Sequence, residues 1–326
     1  MVARPLTRRS LILHIGMPRT GTCSLQRLLA GSSPILEEAG YQYPDLELDE
    51  QEMAHHALGL DVLAHGGGSR IGAELLERVA RAEGNTIVST ETLSNGLADA
   101  GFDALRSFLA AAMDVVDVEV VIVLRRMDQM LASMYLFQLR NGDDPEAVDE
   151  FSERRLPWID QVFGNLSELR LSPDWPSPII LIYRPGRDST ALVLRAIGLD
   201  PAALGEPEKS RHRTLGLKAQ AYLGGLSERG DGISAGRREL INAFETGRFS
   251  FSDEVFEYDP LGHETRRRIH ENALASSIEH GIREYEDAFR EDRVEPMPRT
   301  EIDSSLISDA DLTDLRRFLS TAGRGG

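Results

Sequence analysis

Four short apolar runs stand out in the N-terminal part of the chain: Leu11–Ile15, Thr86–Thr90 (TIVST), Val118–Leu124 (VEVVIVL) and Pro178–Tyr183 (PIILIY). Each is rich in β-branched residues and about as long as a strand buried on both faces. Between them the apolar positions fall at helical spacing. Thr22–Ala30 puts Leu25, Leu28 and Leu29 on one face, with Gly31 as a stop. Gly72–Arg81 turns Leu75, Leu76 and Val79 inward, Asp128–Arg140 aligns Met130, Met134 and Phe137, and Asp188–Ile197 ends at Gly198. Strands alternating with helices predict an α/β fold: a central parallel sheet with helices on both faces.

Past residue 200 the strand signal fades. GEPEKSRHRT reads as a polar connector, and Lys218–Leu226, Gly236–Phe244 and Glu264–Phe289 predict helices with many surface charges. The tail from Val294 is polar and carries prolines, with a short helix over Ala310–Leu319. HGGGS at His65–Ser69 reads as a flexible turn. It has the composition of an oxyanion loop, but no G-x-S-x-G nucleophile elbow accompanies it. The expected organisation is an α/β core over 1–200, a helical C-terminal extension over 201–295, and a polar tail over 296–326.

Composition narrows the function classes. Lysine and arginine total 36 and aspartate and glutamate 53 in 326 residues, a formal charge of −17. That argues against broad electrostatic binding to nucleic acid or anionic membrane and leaves room for a local pocket taking a small anion. Cys23 is the one cysteine, so no intramolecular disulfide forms, and no Cys/His cluster has zinc spacing. A reducing, cytoplasmic setting and no metal are the expectation. No apolar run approaches the ~18 residues of a membrane span. Arginines precede Leu11–Ile15, but that run is too short for a signal core.

The most informative stretch is LILHIGMPRTGTCSLQRLL, Leu11–Leu29. A strand runs into Gly16–Ser24 and then a helix, a geometry that aims backbone N–H groups and a helix N-terminus at one spot, where phosphate binds. Thr20, Thr22, Cys23 and Ser24 add side-chain donors. The helix dipole supplies only ~0.3–1 kcal/mol and each hydrogen bond to a charged group ~1.5–3 kcal/mol, so the donors matter more. The spacing approaches G-x4-G-K-[ST], with Thr22 at the lysine position and the cation moved to Arg19. The third run ends in Arg125-Arg126, where nucleotide hydrolases commonly carry a metal-holding aspartate. A cationic strand end suits a second anion. Ser133 follows eight residues later, about two turns into the next helix, so a phosphate fits between Arg125 and Ser133.

HIGMPRTGTCSLQ and LRRMDQMLASMY together resemble the 5′-phosphosulfate loop and the 3′-phosphate segment of sulfotransferases that use 3′-phosphoadenosine 5′-phosphosulfate (PAPS), in particular the bacterial sulfotransferase-like branch. Weaker likeness runs through PWIDQVFG and SRHRTLGLKAQAYL, covering roughly residues 10–225. The resemblance implies a P-loop-like three-layer fold and transfer of a sulfuryl group from PAPS, releasing adenosine 3′,5′-bisphosphate (PAP), without a metal. By position, Arg19 stands where most members have a lysine at the leaving phosphate oxygens. Gly16, Thr20, Gly21, Thr22, Cys23 and Ser24 line the 5′ loop, Cys23 falling where threonine or serine is usual. Arg125 and Ser133 hold the 3′-phosphate, and Arg213 or Arg211 closes over the nucleotide. Glu91, at the end of the second run, takes the place of the catalytic base. His55 and His56 are alternative bases or substrate contacts, of which neighbouring helix positions let at most one face the pocket, and His56 is the one taken; His14 reads as structural.

The acceptor is a hydroxyl or amine of a small molecule, lipid headgroup or carbohydrate, and oligomeric state is left open. Two other readings stand beside this one: a divergent P-loop kinase using ATP, and a nucleotide-binding module that does no transfer.

Overall fold

The structure, a computed structural model, describes residues 9–18, 20–49, 53–98, 101–141, 147–205, 215–228, 235–255, 258–297, 299–302 and 304–322. The chain falls into two compact units. One comprises residues 1–127, 156–209 and 271–292; the other comprises 128–155, 210–270 and 293–326.

The first unit is built on β1 (Ser10–Gly16), β2 (Tyr41–Gln42), β3 (Asn85–Thr90), β4 (Asp117–Leu124) and β5 (Ile179–Ile182). They form one parallel sheet in the order β2-β3-β1-β4-β5. β1 is central and buried along its whole length, and β4 is buried from Val120 onward. Both therefore read as continuous apolar runs and not as alternating ones.

Helices α1 (Thr22–Gly31), α2 (Ser33–Glu38), α3 (His56–His65), α4 (Arg70–Arg81) and α5 (Gly101–Met113) connect the first strands. Then come α6 (Met127–Asn141), α7 (Val148–Leu171), α8 (Ser189–Ala196) and α9 (Pro201–Leu204). On one face of the sheet Ile12, Ile87, Val121, Val123 and Leu181 pack with Leu25 and Leu29 of α1 and Val193 and Leu194 of α8. Strand alternation sends Leu11, Leu13, Ile15, Val120 and Ile122 to the other face. That face is covered from α3 and α5, whose Leu58, Val62, Leu105 and Leu109 are buried. The result is the P-loop-like three-layer α/β fold.

The chain continues with α10 (Leu217–Glu228), α11 (Ala235–Glu245), α12 (His263–Glu279), α13 (Arg283–Phe289) and α14 (Asp309–Ala322). In the second unit Leu223, Leu240, Phe244, Phe251 and Leu315 form a core. Arg237, 2% exposed, donates to the carbonyls of Leu139, Arg140 and Leu223, which places a cation at the C-terminal end of α6. Buried Asp128 and Asp259 both accept from Arg266.

Three expectations are corrected. The single helix over Glu264–Phe289 is two, α12 and α13, because Gly281 takes φ 68° between them. The flexible turn at His65–Ser69 is a tight 3-10 turn over Gly66–Gly68. Gly67 N–H donates to Ser107 Oγ at 3.1 Å, and a β-carbon on Gly66 would lie 3.2 Å from the Ala104 carbonyl, so the glycines serve close approach to α5. The Met130–Met134–Phe137 stripe does not face a core as a unit: Met130 is buried, whereas Phe137 is 46% exposed with its ring under Arg140. The helices α2, α5, α7 and α9 and the short strand β2 were not anticipated.

Candidate functional site

Strand register brings the sequence-derived site residues of the first unit to one edge. Ile15 is level with Thr90 and Ile122, Gly16 with Val123, and Leu124 with Ile182. Gly16, Glu91, Arg125 and Tyr183 therefore leave the carboxyl ends of adjacent parallel strands. The order β3-β1-β4 is the place where connections part to either side of β1, and ligands on such sheets bind in the crevice beyond it.

The loop after β1 is shaped by its own side chains. Met17 N–H donates to the Val123 carbonyl at 3.2 Å, carrying the β1–β4 ladder one residue past Gly16. Thr20, 2% exposed, donates its hydroxyl proton to the Met17 carbonyl at 2.7 Å, so that side chain closes the loop. Gly21 sits at φ 82°, ψ 17° as the N-cap of α1, where a side chain would be strained and where a β-carbon would meet Ser189 Oγ at 2.4 Å. No side chain caps this end of α1, so its first turn presents backbone donors in the way that suits an anion. Thr22 is 3% exposed, its hydroxyl 3.4 Å from that of Thr20; Cys23 and Ser24 are half-buried. The donor set suits phosphate: no carboxylate occurs between Gly16 and Ser24. Arg19, Arg211 and Arg213 lie outside the described residues.

The two arginines after β4 diverge. Arg126 is buried and faces Asp292 at 3.7 Å. Arg125 is half-buried, its guanidinium 5.3 Å from the centre of the Tyr183 ring, a cation–π contact. Ser133 is half-buried on α6 in the second unit.

On the other flank, Glu91 is half-buried at the turn that opens a 3-10 segment, Thr92–Leu97. His56 is half-buried at the first position of α3, its Nδ1 3.0 Å from Thr92 Oγ1. Behind them lie two buried histidines. His14 Nδ1 is 2.8 Å from Ser89 Oγ, and His55 shares hydrogen bonds with the Ser89 backbone. Burial pulls both rings from an ordinary 6.5 down to about 4. His14 thus takes the structural place expected of it, and His55, the other candidate of the pair, is packed away as the residue before α3. Thr92, Tyr183 and Ser189 touch the candidate residues and were not singled out from sequence. Tyr183 had its signal in ending the PIILIY run level with Arg125.

Among the described residues no group of three or more His, Cys, Asp or Glu side chains could hold a metal ion, and no helix is long and apolar enough to cross a membrane. No family model matches the chain, and neither does any curated protein sequence. Among solved structures the chain is similar to the sulfotransferase domain of the Synechococcus PCC 7002 olefin synthase. The match has 14% identity, covers 77% of this chain and 99% of that one, and has a TM-score of 0.35. A likeness of that size carries no argument about activity.

Proposed function

We propose that this protein is a PAPS-dependent sulfotransferase acting on a hydroxyl or amine acceptor. The observation that supports it is the common level of three strand ends: a carboxylate-free loop opening a helix, an arginine on the β4 side, and a carboxylate with a histidine on the β3 side. Two anion-binding elements on one side of β1 suit a nucleotide with phosphates at both 5′ and 3′ positions. The loop amides and the α1 N-terminus take the 5′ side, and Arg125 takes the 3′-phosphate. Arg19 is assigned to the leaving oxygen.

In the transfer the acceptor loses its proton to a base on the β3 side, Glu91 being the first assignment and His56 the second. The acceptor atom bonds to sulfur, the sulfur–oxygen bond to the 5′-phosphate breaks, and its electron pair stays on the phosphate. Positioning and stabilisation of that charge do most of the work. The single cysteine fits a cytoplasmic setting.

The test is ligand choice followed by turnover. PAP without magnesium raises the melting temperature more than ATP at equal concentration, and the enzyme releases PAP from PAPS. Glu91→Gln lowers that release within the ~10²–10⁴-fold a general base supplies, with PAP affinity changed less than about threefold. Stabilisation by Mg-ATP alone would instead favour a kinase.

A further inference from the structure

The junction of β3 and α3 is tied by contacts that the transfer reading leaves unassigned. His55 N–H donates to the Ser89 carbonyl at 3.0 Å, Ser89 N–H donates to His55 Nδ1 at 3.3 Å, and His55 Nε2 lies 3.0 Å from the Pro44 carbonyl. With Nδ1 accepting, Nε2 carries the proton and donates to Pro44, so the neutral ring is used on both sides. The Tyr43 ring meets it edge-on at 4.6 Å. His55 therefore fixes the backbone from which His56 begins α3.

Gly59, one turn on, sets the approach of that helix. A β-carbon there would stand 2.7 Å from Thr92 Cβ and 3.0 Å from Thr90 Oγ1. The bare glycine lets α3 come down on the strand end and brings His56 Nδ1 to 3.0 Å from Thr92 Oγ1. Thr92 is itself held, its N–H donating to Thr90 Oγ1 at 3.2 Å. Backbone, helix approach and hydroxyl are thus all fixed around one ring nitrogen.

We propose that Thr92 is a positioning residue of the acceptor side: its hydroxyl accepts the Nδ1 proton of His56 and so makes Nε2 the basic nitrogen of that ring. The use of that nitrogen rests on the sulfuryl-transfer reading with His56, the second of its two base assignments, taking the acceptor proton; the hydrogen bond does not. A neutral imidazole carries one proton, and the partner of one nitrogen decides the state of the other. Base action at Nε2 requires the proton on Nδ1, where Thr92 stands to accept it. When the acceptor proton arrives at Nε2, Nδ1–H keeps the same bond and the hydroxyl need not rotate. The new acceptor–sulfur bond replaces the sulfur–oxygen bond, whose electron pair leaves on the 5′-phosphate. His56 acts at the acceptor, and Thr92 acts only through His56.

The experiment uses the full chain, its Thr92→Val variant, which keeps the shape and loses the hydroxyl, and Thr92→Ser, which restores it. Ring-nitrogen NMR reads the His56 tautomer, and PAP release from PAPS is followed against pH. The expected result is Nδ1–H in the wild type, a shift toward Nε2–H in Thr92→Val and a return in Thr92→Ser. PAP release falls about tenfold in Thr92→Val, part of what a general base supplies. It recovers in Thr92→Ser, and PAP affinity stays within about threefold throughout, a difference below ~0.65 kcal/mol. An Nε2–H tautomer in the wild type, an unchanged tautomer in Thr92→Val, or a Thr92→Val enzyme with wild-type release and pH profile overturns the proposal. So does equal loss in both variants. Should the wild type neither bind PAP nor release it, the transfer reading falls, and the tautomer measurement alone decides the Thr92 contact.

Discussion

Gly16 and Thr22 meet so closely that a β-carbon on Gly16 would stand 2.6 Å from Thr22 Cγ2 and 2.7 Å from its Oγ1. Thr22 is buried in the first turn of α1 and has no open space to swing into. Gly16→Ala must therefore lift that turn off the end of β1. The expected result is a loss of ~1–3 kcal/mol in stability, the usual size for overpacking, together with loss of the thermal shift given by PAP. Scanning fluorimetry with and without PAP reads both. An alanine variant with a wild-type PAP shift would mean that phosphate does not rest on this loop.

Arg125 and its stacking partner give a second prediction. Arg125→Ala removes a charge-assisted bond of ~1.5–3 kcal/mol, so PAP weakens by roughly 10- to 150-fold. Adenosine 5′-phosphate has no 3′-phosphate to lose and stays within about threefold, a difference below ~0.65 kcal/mol. Tyr183→Leu removes only the ring under the guanidinium, a contact of ~0.5–1 kcal/mol, and weakens PAP by a few-fold. Titration calorimetry with both nucleotides checks the pattern; equal losses for the two nucleotides in Arg125→Ala would remove the 3′-phosphate assignment.

The strands that carry this site were legible because each is a β-branched run buried on both faces. β2 was not, because two residues show no pattern; it exists through pairing with Asn85 and Thr86. α3 gave no stripe, since its face toward β3 includes a glycine and its apolar residues run around the helix. α7 contains Pro157, which a local reading takes as a break. The glycine loop was legible because strand, loop and helix adjoin in sequence. The Thr92–His56 contact spans 36 residues, and those of Tyr183 with Arg125 and Ser189 with Gly21 join still more distant segments. No local rule reaches them. His65–Ser69 looked flexible by composition, and packing against α5 decided otherwise.

Asp311 ties the C-terminal helix α14 to α10. Its carboxylate accepts from Ser308 N–H at 3.0 Å while its own N–H donates to Ser308 Oγ at 3.2 Å, a reciprocal capping box. Lys218 Nζ lies 2.9 Å from the same carboxylate. Burial alone would raise this carboxyl, but the bonds from Lys218 and Ser308 outweigh it and hold it at about 2. Asp311→Ala loses the cap and leaves Lys218, 20% exposed, without its carboxylate. Together these cost ~2–4 kcal/mol. Asp311→Asn keeps an acceptor for the cap and loses less. Urea unfolding reads the difference, and an alanine variant of wild-type stability would show that the clasp contributes nothing.

The two buried histidines fix the sign of the acid response. His14 and His55 are held near pKa 4 by burial, against 6.5 when exposed. Between those values the unfolded chain binds more protons than the folded one, so stability rises with pH and is lost as pH falls from about 6.5 toward 4. At pH 5 each ring costs roughly 2 kcal/mol relative to pH 8. Both rings sit behind the candidate site and both meet Ser89, level with His14 in the sheet. Unfolding free energy in urea, measured stepwise from about pH 8 to pH 5, should therefore fall with a slope approaching two protons. His14→Asn lowers stability at neutral pH, because the fit to Ser89 is lost, but reduces that slope by about one proton. A slope unchanged in His14→Asn would mean that the acid sensitivity arises elsewhere and that His14 is not neutral in the folded sheet.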